Sequence, residues 1–459
     1  MPAADHGWSD GLLEAGLGDA EVAAAVGWPA RVRRMVEVEA ALGRALATAG
    51  VVPAEAGEAI ARACDPDRVD LVALARQAAR APTPVIPLVA ALVEQADPLA
   101  ASWLHHGATS QDVVDTATVL QLRDALDLLD GRLAAVAEHA AVLARQHRDT
   151  VMAGRTLGQQ AVPTTFGLLA ARWVGALDRR RQQLAALRPR LLVVQLGGAA
   201  GTRAVWGERA DAVVDALADE LRLTVPELPW HAERDRIAEL AGALSAVAAV
   251  VGTVATDLVL LAQNEIGEVA EGAAAGPGSS AMPHKRNPVH ATGARAAARL
   301  AQGEAQVLLA AAANHELERA AGAWQAEWVA LPSALVRTAG AVVRVSAALV
   351  DLDVDGSRMR DNLAANHGLT ASEALSTVLV PAHGRRDAQA LAGELAVRAV
   401  DEGRALVEVA AADARVHAAV SPEELAAALE PAAVTALAGP LVDRALAAHD
   451  RIRTSLDPA

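Results

Sequence analysis

Lysine is all but missing from this chain of 459 residues. Of its 41 basic side chains a single one, Lys285, is lysine, and the rest are arginine. Lysine carries a compact charge on a flexible stem and arginine a rigid planar fork, so a lone lysine in an arginine-rich chain marks a position that a guanidinium does not serve. Cysteine is as scarce. Cys64 alone can neither close an intrachain disulfide nor supply zinc-ligand spacing, and reads as a buried, inert thiol. The 13 histidines include one adjacent pair, His105-His106, and no His-Glu-x-x-His. Neither Gly-x-Gly-x-x-Gly nor the phosphate-binding Gly-x-x-x-x-Gly-Lys-Ser/Thr occurs, since the one lysine lies elsewhere. Chemistry without a metal or cofactor is the expectation.

A basic excess is missing too. The formal net charge of -15 argues against a nucleic-acid or anionic-membrane partner, while local arginines can still set the field for a small acidic substrate. Met1 to Asp10 carries two aspartates and no apolar run after a basic segment, so no export signal is expected and a cytoplasmic location follows. The stretch Leu240 to Thr256 is uncharged but rich in Ala, Gly, Ser and Thr. It is shorter than the roughly 20 strongly apolar residues of a bilayer span and suits the middle of a helix bundle.

Proline is absent from Leu99 to Val162, Arg190 to Val225, Trp230 to Gly276 and Val289 to Leu331. A helix of some 40 residues would be about 60 Å long, more than one small domain can cover. Helices apolar on several sides need partners from other subunits, so an oligomer is expected. Alanine runs such as Ala296-Ala297-Ala298 read as close-packed helix, and a hydrophobic fraction of 53% is ample for a large core. The expected fold is all-α, with three helical domains around a central long-helix bundle. The proline-broken region around Pro82, Pro84, Pro87 and Pro98 and the acidic stretch Asp351 to Gly356 divide them into residues 1–104, 105–350 and 351–459.

Lys285 lies in Gly278-Ser279-Ser280-Ala281-Met282-Pro283-His284-Lys285-Arg286-Asn287-Pro288. Pro288 suits a first helical position and Asn287 the cap before it. The loop is therefore expected to end on a helix N-terminus, whose free N–H groups and positive dipole end favour a carboxylate or phosphate.

This stretch resembles the signature loop of the fumarase/aspartase superfamily, Gly-Ser-Ser-x-Met-Pro-x-Lys-x-Asn-Pro, at every fixed position. His105 to Asp112 and Gly154 to Gly167 are similar to two further family segments. The resemblance is weakest in the first hundred residues. Within the superfamily, Gly107 to Asp112, Gly197 to Thr202, Trp230-His231 with Arg234-Asp235-Arg236-Ile237, and Glu318 to Trp324 are similar to the branch of bacterial 3-carboxy-cis,cis-muconate cycloisomerases. At Leu157 the lyases that cleave adenylosuccinate, argininosuccinate or malate resemble one another in a functional histidine. Leucine can neither donate nor accept a proton. Gln325 departs from the branch, where a histidine is expected.

The resemblance implies a homotetramer with shared active sites, no cofactor, and a dicarboxylate or tricarboxylate substrate. Ser279 would exchange a proton with the carbon beside a substrate carboxylate, Ser280 making a loop contact; the reverse assignment stays open. A serine hydroxyl is too weak an acid unaided, so Lys285 and Asn287 would hold the charged aci-carboxylate. Substrate contacts are expected from His105, Thr109, Ser110, Gln111, Arg155, Thr156, Gln159, Arg234, Met282 and His284. Several have a plainer reading beside the functional one. His105, similar in place to a histidine of the adenylosuccinate-cleaving relatives, suits a structural hydrogen bond as well as a substrate contact. Thr109 to Gln111 also suit a helix cap with Asp112 and Asp115 in its first turn. Arg234 and Arg236 flank Asp235 and suit a salt-bridged helix start. Gln159 and Gln160 can bond the backbone, Met282 suits packing, and His284 suits a solvated loop. Phe166 is expected to pack beneath its segment, and Arg360, Asn362, His367 and Glu373 to serve structure. Three functions remain: closure of a carboxymuconate to its lactone, β-elimination from a nitrosuccinate or adenylosuccinate-like succinate with release of fumarate, and an inactive oligomeric scaffold.

Overall fold

A computed structural model describes residues 14, 16–272, 282 and 285–456; Ser279, Ser280 and His284 lie outside the described residues. The N-terminal part runs through α1 (Ala20–Val26), α2 (Trp28–Thr48), α3 (Ala54–Ala63), α4 (Leu71–Ala78), α5 (Val85–Gln95) and α6 (Pro98–Trp103). Aspartates start several of these helices: Asp19, Asp70 and Asp97 each accept a backbone N–H two or three residues on, the bond that N-terminal caps supply. Then come α7 (Ser110–Gln146), the strands β1 (Val151–Thr156) and β2 (Gln159–Thr165), α8 (Phe166–Leu191), α9 (Ala210–Leu221), α10 (Asp235–Leu261), β3 (Val269–Ala270), α11 (Val289–Ala312) and α12 (Ala323–Val350). After β4 (Asp353–Val354) the chain ends in α13 (Gly356–Ala364), α14 (Ser372–Glu402), α15 (Leu406–Ala411), α16 (Ala414–His417), α17 (Pro422–Leu429), α18 (Pro431–Val434) and α19 (Ala438–Leu456). The fold is all-α in class.

The chain divides into two compact units, each discontinuous in sequence. The first comprises the residues up to Arg132, Arg180–Ala249 and Ala296–Val343. Its core joins α2, α3, α5, α7 and α9 through Val36, Leu42, Leu46, Ile60, Leu88, Leu120 and Leu217. Helices α2 and α3 approach so closely that a Cβ on Gly43 would lie 2.6 Å from Ile60 Cγ2. Cys64 closes α3 as a buried thiol whose pKa is pushed up to about 12 by burial and the nearby Glu39 charge, so it stays protonated and inert. Within this unit the proline-free stretch expected as one long helix is broken. Helix α11 stops at Ala312, and residues 313–322 intervene before α12, with Leu317 and Gly322 at φ 48° and 117°. Absence of proline permits a helix but supplies no cap against fraying, and positive φ ends one.

The second unit takes Leu133–Arg179, Val250–Arg295 and the chain from Arg344. Leu375, Leu379, Leu391, Leu395, Leu406 and Leu425 form the core of its C-terminal helices. Its hairpin pairs β1 with β2 antiparallel, from Val151↔Thr165 to Thr156↔Gln159, with an irregularity between Ala153 and Arg155. Leu157 and Gly158 make the two-residue turn at φ 51° and 79°, the double positive φ of a type I′ turn. Phe166 is fully buried beneath the hairpin's exit, its ring meeting His147 and Trp173 edge-on.

Helices α10 and α12 are long and apolar enough, by length and composition, to cross a membrane. The uncharged Leu240–Thr256 stretch lies inside α10, which extends beyond it at both ends. In the second unit its Asp257 accepts a hydrogen bond from Trp173 Nε1 at 2.9 Å.

Candidate active site

In the first unit, the start of α7 is organised by Asp112. Its Oδ1 accepts from Gly197 N at 2.8 Å and lies 2.7 Å from His231 Nε2; its Oδ2 accepts from Gly198 N and Thr109 N, each at 2.9 Å. A single buried carboxylate thus ties the helix start, the glycine-rich loop at 197–198 and His231 into one cradle. Gly198 at φ 71° also brings its backbone against Gly107 O, 3.1 Å from where a Cβ would stand. Thr109 and Ser110 are half-buried at this mouth.

Gln111 is buried and engaged by the fold. Its amide donates to His231 O at 2.8 Å and Asp115 Oδ2 at 3.1 Å, and its oxygen accepts from Arg319 Nε at 3.1 Å. All its hydrogen-bonding sites but one lone pair serve the fold. Arg234 is engaged likewise. Its guanidinium is buried between Asp115, at 2.7 and 3.3 Å, and Glu327, at 3.1 Å from Nε. The neighbour in sequence, Asp235, is not its partner; carboxylates 119 and 93 residues away are. Desolvation alone would weaken its charge, but the two carboxylates raise its pKa further above the arginine range. His315 adds Nε2 at 3.2 Å from Glu327 Oε1, and Trp324 Nε1 donates to Asp115 Oδ1 at 3.0 Å. Glu327 is held below the usual carboxylate range, burial being outweighed by His315 and Arg234. The expectation that Arg234 meets substrate is therefore corrected: both carboxylate faces of its fork are filled, and what it does is neutralise buried charge.

His105 stands apart from that network. Its Nδ1 is 2.6 Å from Glu39 Oε1, and a fifth of its side chain is exposed.

In the second unit the hairpin carries Arg155, Thr156 and Gln159. Arg155 donates from Nη1 to Glu268 Oε2 at 2.9 Å and from Nη2 to Glu268 Oε1 at 2.6 Å. Glu268 is fully buried, and Asn362 Nδ2 donates to the same Oε1 at 2.8 Å. The bidentate fork fills the face with which Arg155 was expected to take a substrate carboxylate. Gln160 serves structure as well, donating to Asn362 O and accepting from Asn366 Nδ2. Thr156, Leu157, Gly158 and Gln159 are exposed at the hairpin tip, where Thr156 at the end of β1 pairs with Gln159 at the start of β2.

Also in the second unit, Lys285, Asn287 and Pro288 line an open cleft of about 570 Å³ with Gln263, Asn264 and Glu265. Lys285 is exposed, and its backbone N–H donates to Met282 O at 3.0 Å. Met282 is itself exposed, at odds with its reading as packing. The helix begins one residue later than expected: Pro288 O accepts from Thr292 N at 2.9 Å, making Pro288 the cap of α11. The mouth of α11 already holds an anion. Glu271, nearly buried, accepts His290 N on Oε2 at 2.9 Å and Ala291 N on Oε1 at 2.7 Å. Those N–H groups and the dipole end expected to receive substrate charge are satisfied by the chain's own carboxylate. Sequence reading had no signal for Glu271, which lies outside the signature loop, nor for Glu39 and Glu268, whose partners are 66 and 113 residues away.

Residues 28–303 match a protein-family description that reads Lyase, and residues 368–445 match Adenylosuccinate lyase C-terminus. The chain is 46% identical over 433 residues to a 3-carboxy-cis,cis-muconate cycloisomerase of Pseudomonas aeruginosa, covering 94% of each chain. It is 44% identical over 453 residues to a nitrosuccinate lyase of Streptomyces davaonensis, covering 96% of this chain and 95% of the other. The crystal structure of the 3-carboxy-cis,cis-muconate lactonizing enzyme from Pseudomonas putida superposes with a TM-score of 0.90 at 42% identity, covering 96% of this chain and 99% of that one.

Proposed function

The chain belongs to the lyase family, in the fumarase/aspartase superfamily, and from that premise we propose that it is a cycloisomerase closing 3-carboxy-cis,cis-muconate to 4-carboxymuconolactone in protocatechuate catabolism. The observation that carries this reading is Leu157. The hairpin tip, where eliminating relatives place an imidazole, presents an exposed aliphatic side chain that can take no part in proton transfer. A lactonisation can dispense with that base, because the nucleophile is a carboxylate of the substrate itself.

In the proposed reaction a carboxylate oxygen bonds to one carbon of a conjugated double bond. The displaced electron pair moves through the adjacent carbon onto its carboxylate, giving an aci-carboxylate. Ser279 then delivers a proton to that carbon and is reprotonated from solvent. Lys285 is the proposed counter-charge for the aci-carboxylate and the serine alkoxide, with Asn287 beside it. With the mouth of α11 filled by Glu271, the electrostatic burden falls on the ammonium and on loop groups. Thr109, Ser110 and His105 are proposed polar contacts to substrate carboxylates, and so are Thr156 and Gln159, in a homotetramer whose subunits share each active site. The enzyme is proposed to be a soluble cytoplasmic homotetramer; exposed Leu300 and Val307 on α11 and Val329 on α12 support burial against further copies.

The test follows the conjugated-diene absorbance of 3-carboxy-cis,cis-muconate. Wild type is expected to bleach it with formation of lactone, and Ser279→Ala to retain under about a tenth of that turnover. The likeness to the nitrosuccinate lyase favours a second reading, β-elimination. Release of fumarate and nitrite from nitrosuccinate, with no change in the diene, would decide for it.

A further inference from the structure

Glu39 lies in the middle of α2 with none of its surface exposed, flanked by buried Met35, Val36 and Leu42. One oxygen, Oε1, meets His105 Nδ1 at 2.6 Å. The other, Oε2, is buried with no hydrogen-bond partner. Among the described residues no arginine or lysine pairs with it; His105 is its one ion-pair partner. A carboxylate in this setting opposes folding, and an apolar side chain of similar volume would serve the core better. The position makes sense through what Glu39 does to the imidazole.

His105 is fixed from its backbone too. Its φ of 60° lies in the left-handed region, which a non-glycine residue enters at a cost and keeps only where its surroundings impose it. They do so here. Gly107, at φ 84°, runs so near the neighbouring loop that a Cβ would lie 2.3 Å from Val205 Cγ1 and 2.5 Å from Trp206 Nε1. Trp206 Nε1 donates to His106 O at 3.3 Å, and the ring of Trp103 meets that of His106 edge-on at 5.2 Å. With Nδ1 tied inward, Nε2 has no hydrogen-bond partner among the described residues, and the side chain remains 21% exposed. Thr109 and Ser110, half-buried at the start of α7, follow within five residues.

Resting on the proposed function, we infer that Glu39 is a positioning residue for His105: it holds Nδ1–H inward, so that Nε2–H faces out as a charged donor to a substrate carboxylate. No bond is made or broken in this role; the dyad contributes a fixed cation that binds and orients. Burial works against charge on His105, but the hydrogen bond and charge of Glu39, with the charge of Asp112, hold its pKa above the ordinary value. The charged groups acting on His105 are Glu39 from α2 and Asp112 from α7, and Cys64 at the end of α3 feels the Glu39 charge as well. Cys64 is neutral, so at neutral pH Glu39 and Asp112 set the charge on the imidazole.

The test is Glu39→Gln, which can still accept from Nδ1–H but carries no charge, read in two ways. The first is the NMR titration of the His105 ring without substrate: wild type is expected to titrate above about 6.5, and Glu39→Gln to bring the midpoint down toward that value. The second is turnover of 3-carboxy-cis,cis-muconate against pH. Glu39→Gln is expected to lower kcat/KM about ten- to hundredfold, mostly through KM, and to move the alkaline limb to lower pH. His105→Gln in the Glu39→Gln background should add little further loss. An unchanged titration, or a shifted titration with an unchanged pH profile, overturns the inference. A wild type that leaves the diene intact sinks the proposed function instead; Glu39→Gln must then weaken binding of the same compound near neutral pH, and equal binding by both proteins overturns the inference.

Discussion

Glu268 grips Arg155 through two parallel hydrogen bonds, 2.6 and 2.9 Å long, from a carboxylate with no exposed surface. The guanidinium locks β1 to the turn before β3. Arg155→Met would leave that carboxylate buried and short of its cation, which costs about 3–5 kcal/mol. Urea denaturation is expected to show a loss of this order, while KM for substrate stays within about twofold of wild type because no ground-state contact is removed. A KM raised many-fold without loss of stability would return Arg155 to the substrate.

Glu271→Ala empties the mouth of α11. Two charge-assisted bonds to His290 N and Ala291 N disappear, and stability is expected to fall by about 2 kcal/mol. The vacated N–H groups then form an anion site. Added sulfate should raise the melting temperature of Glu271→Ala more than that of wild type, and equal responses would show that the helix end is satisfied in some other way.

His449 on α19 is buried with Nδ1 3.0 Å from Asp178 Oδ2 and Nε2 3.2 Å from Glu138 Oε2. The hydrogen bond to Asp178, against burial and aided by both carboxylate charges, raises its pKa. A raised folded-state value means that the cluster's stabilisation is complete below the unfolded pKa of about 6.5 and is lost as pH climbs through the folded value. The stability gap between wild type and His449→Gln should therefore be widest below about pH 6.5 and shrink as pH climbs above it. Denaturant midpoints across that range read it directly. A gap that widens with pH would mean that the imidazole is buried neutral.

Much of the architecture is legible in where proline does not occur. Helices α7 and α10 fall inside proline-free windows, and their alanine-rich sequences need only packing partners to form. The rule fails in both directions where tertiary contacts take over. Residues 313–322 break a proline-free window, while Pro189, Pro332 and Pro381 lie inside helices. The hairpin is invisible to pattern reading because its turn is Leu157-Gly158, not the Asn-Gly that favours paired positive φ. At the candidate site, the signature loop and the start of α7 could be located from sequence because residue types and spacing are local. Which charges pair could not. Arg234 sits beside Asp235 in sequence, yet its partners are Asp115 and Glu327; the anion at the mouth of α11 is the chain's own Glu271. Distant carboxylates leave no periodicity to read.

The solitary lysine has a practical side. Lys285 is exposed and carries the one ε-amine of the whole sequence, so acylating or reductively alkylating reagents meet a single side chain besides the α-amine. A dye, spin probe or surface linker directed at amines will report from the edge of the cleft it borders, with no need to engineer an attachment point.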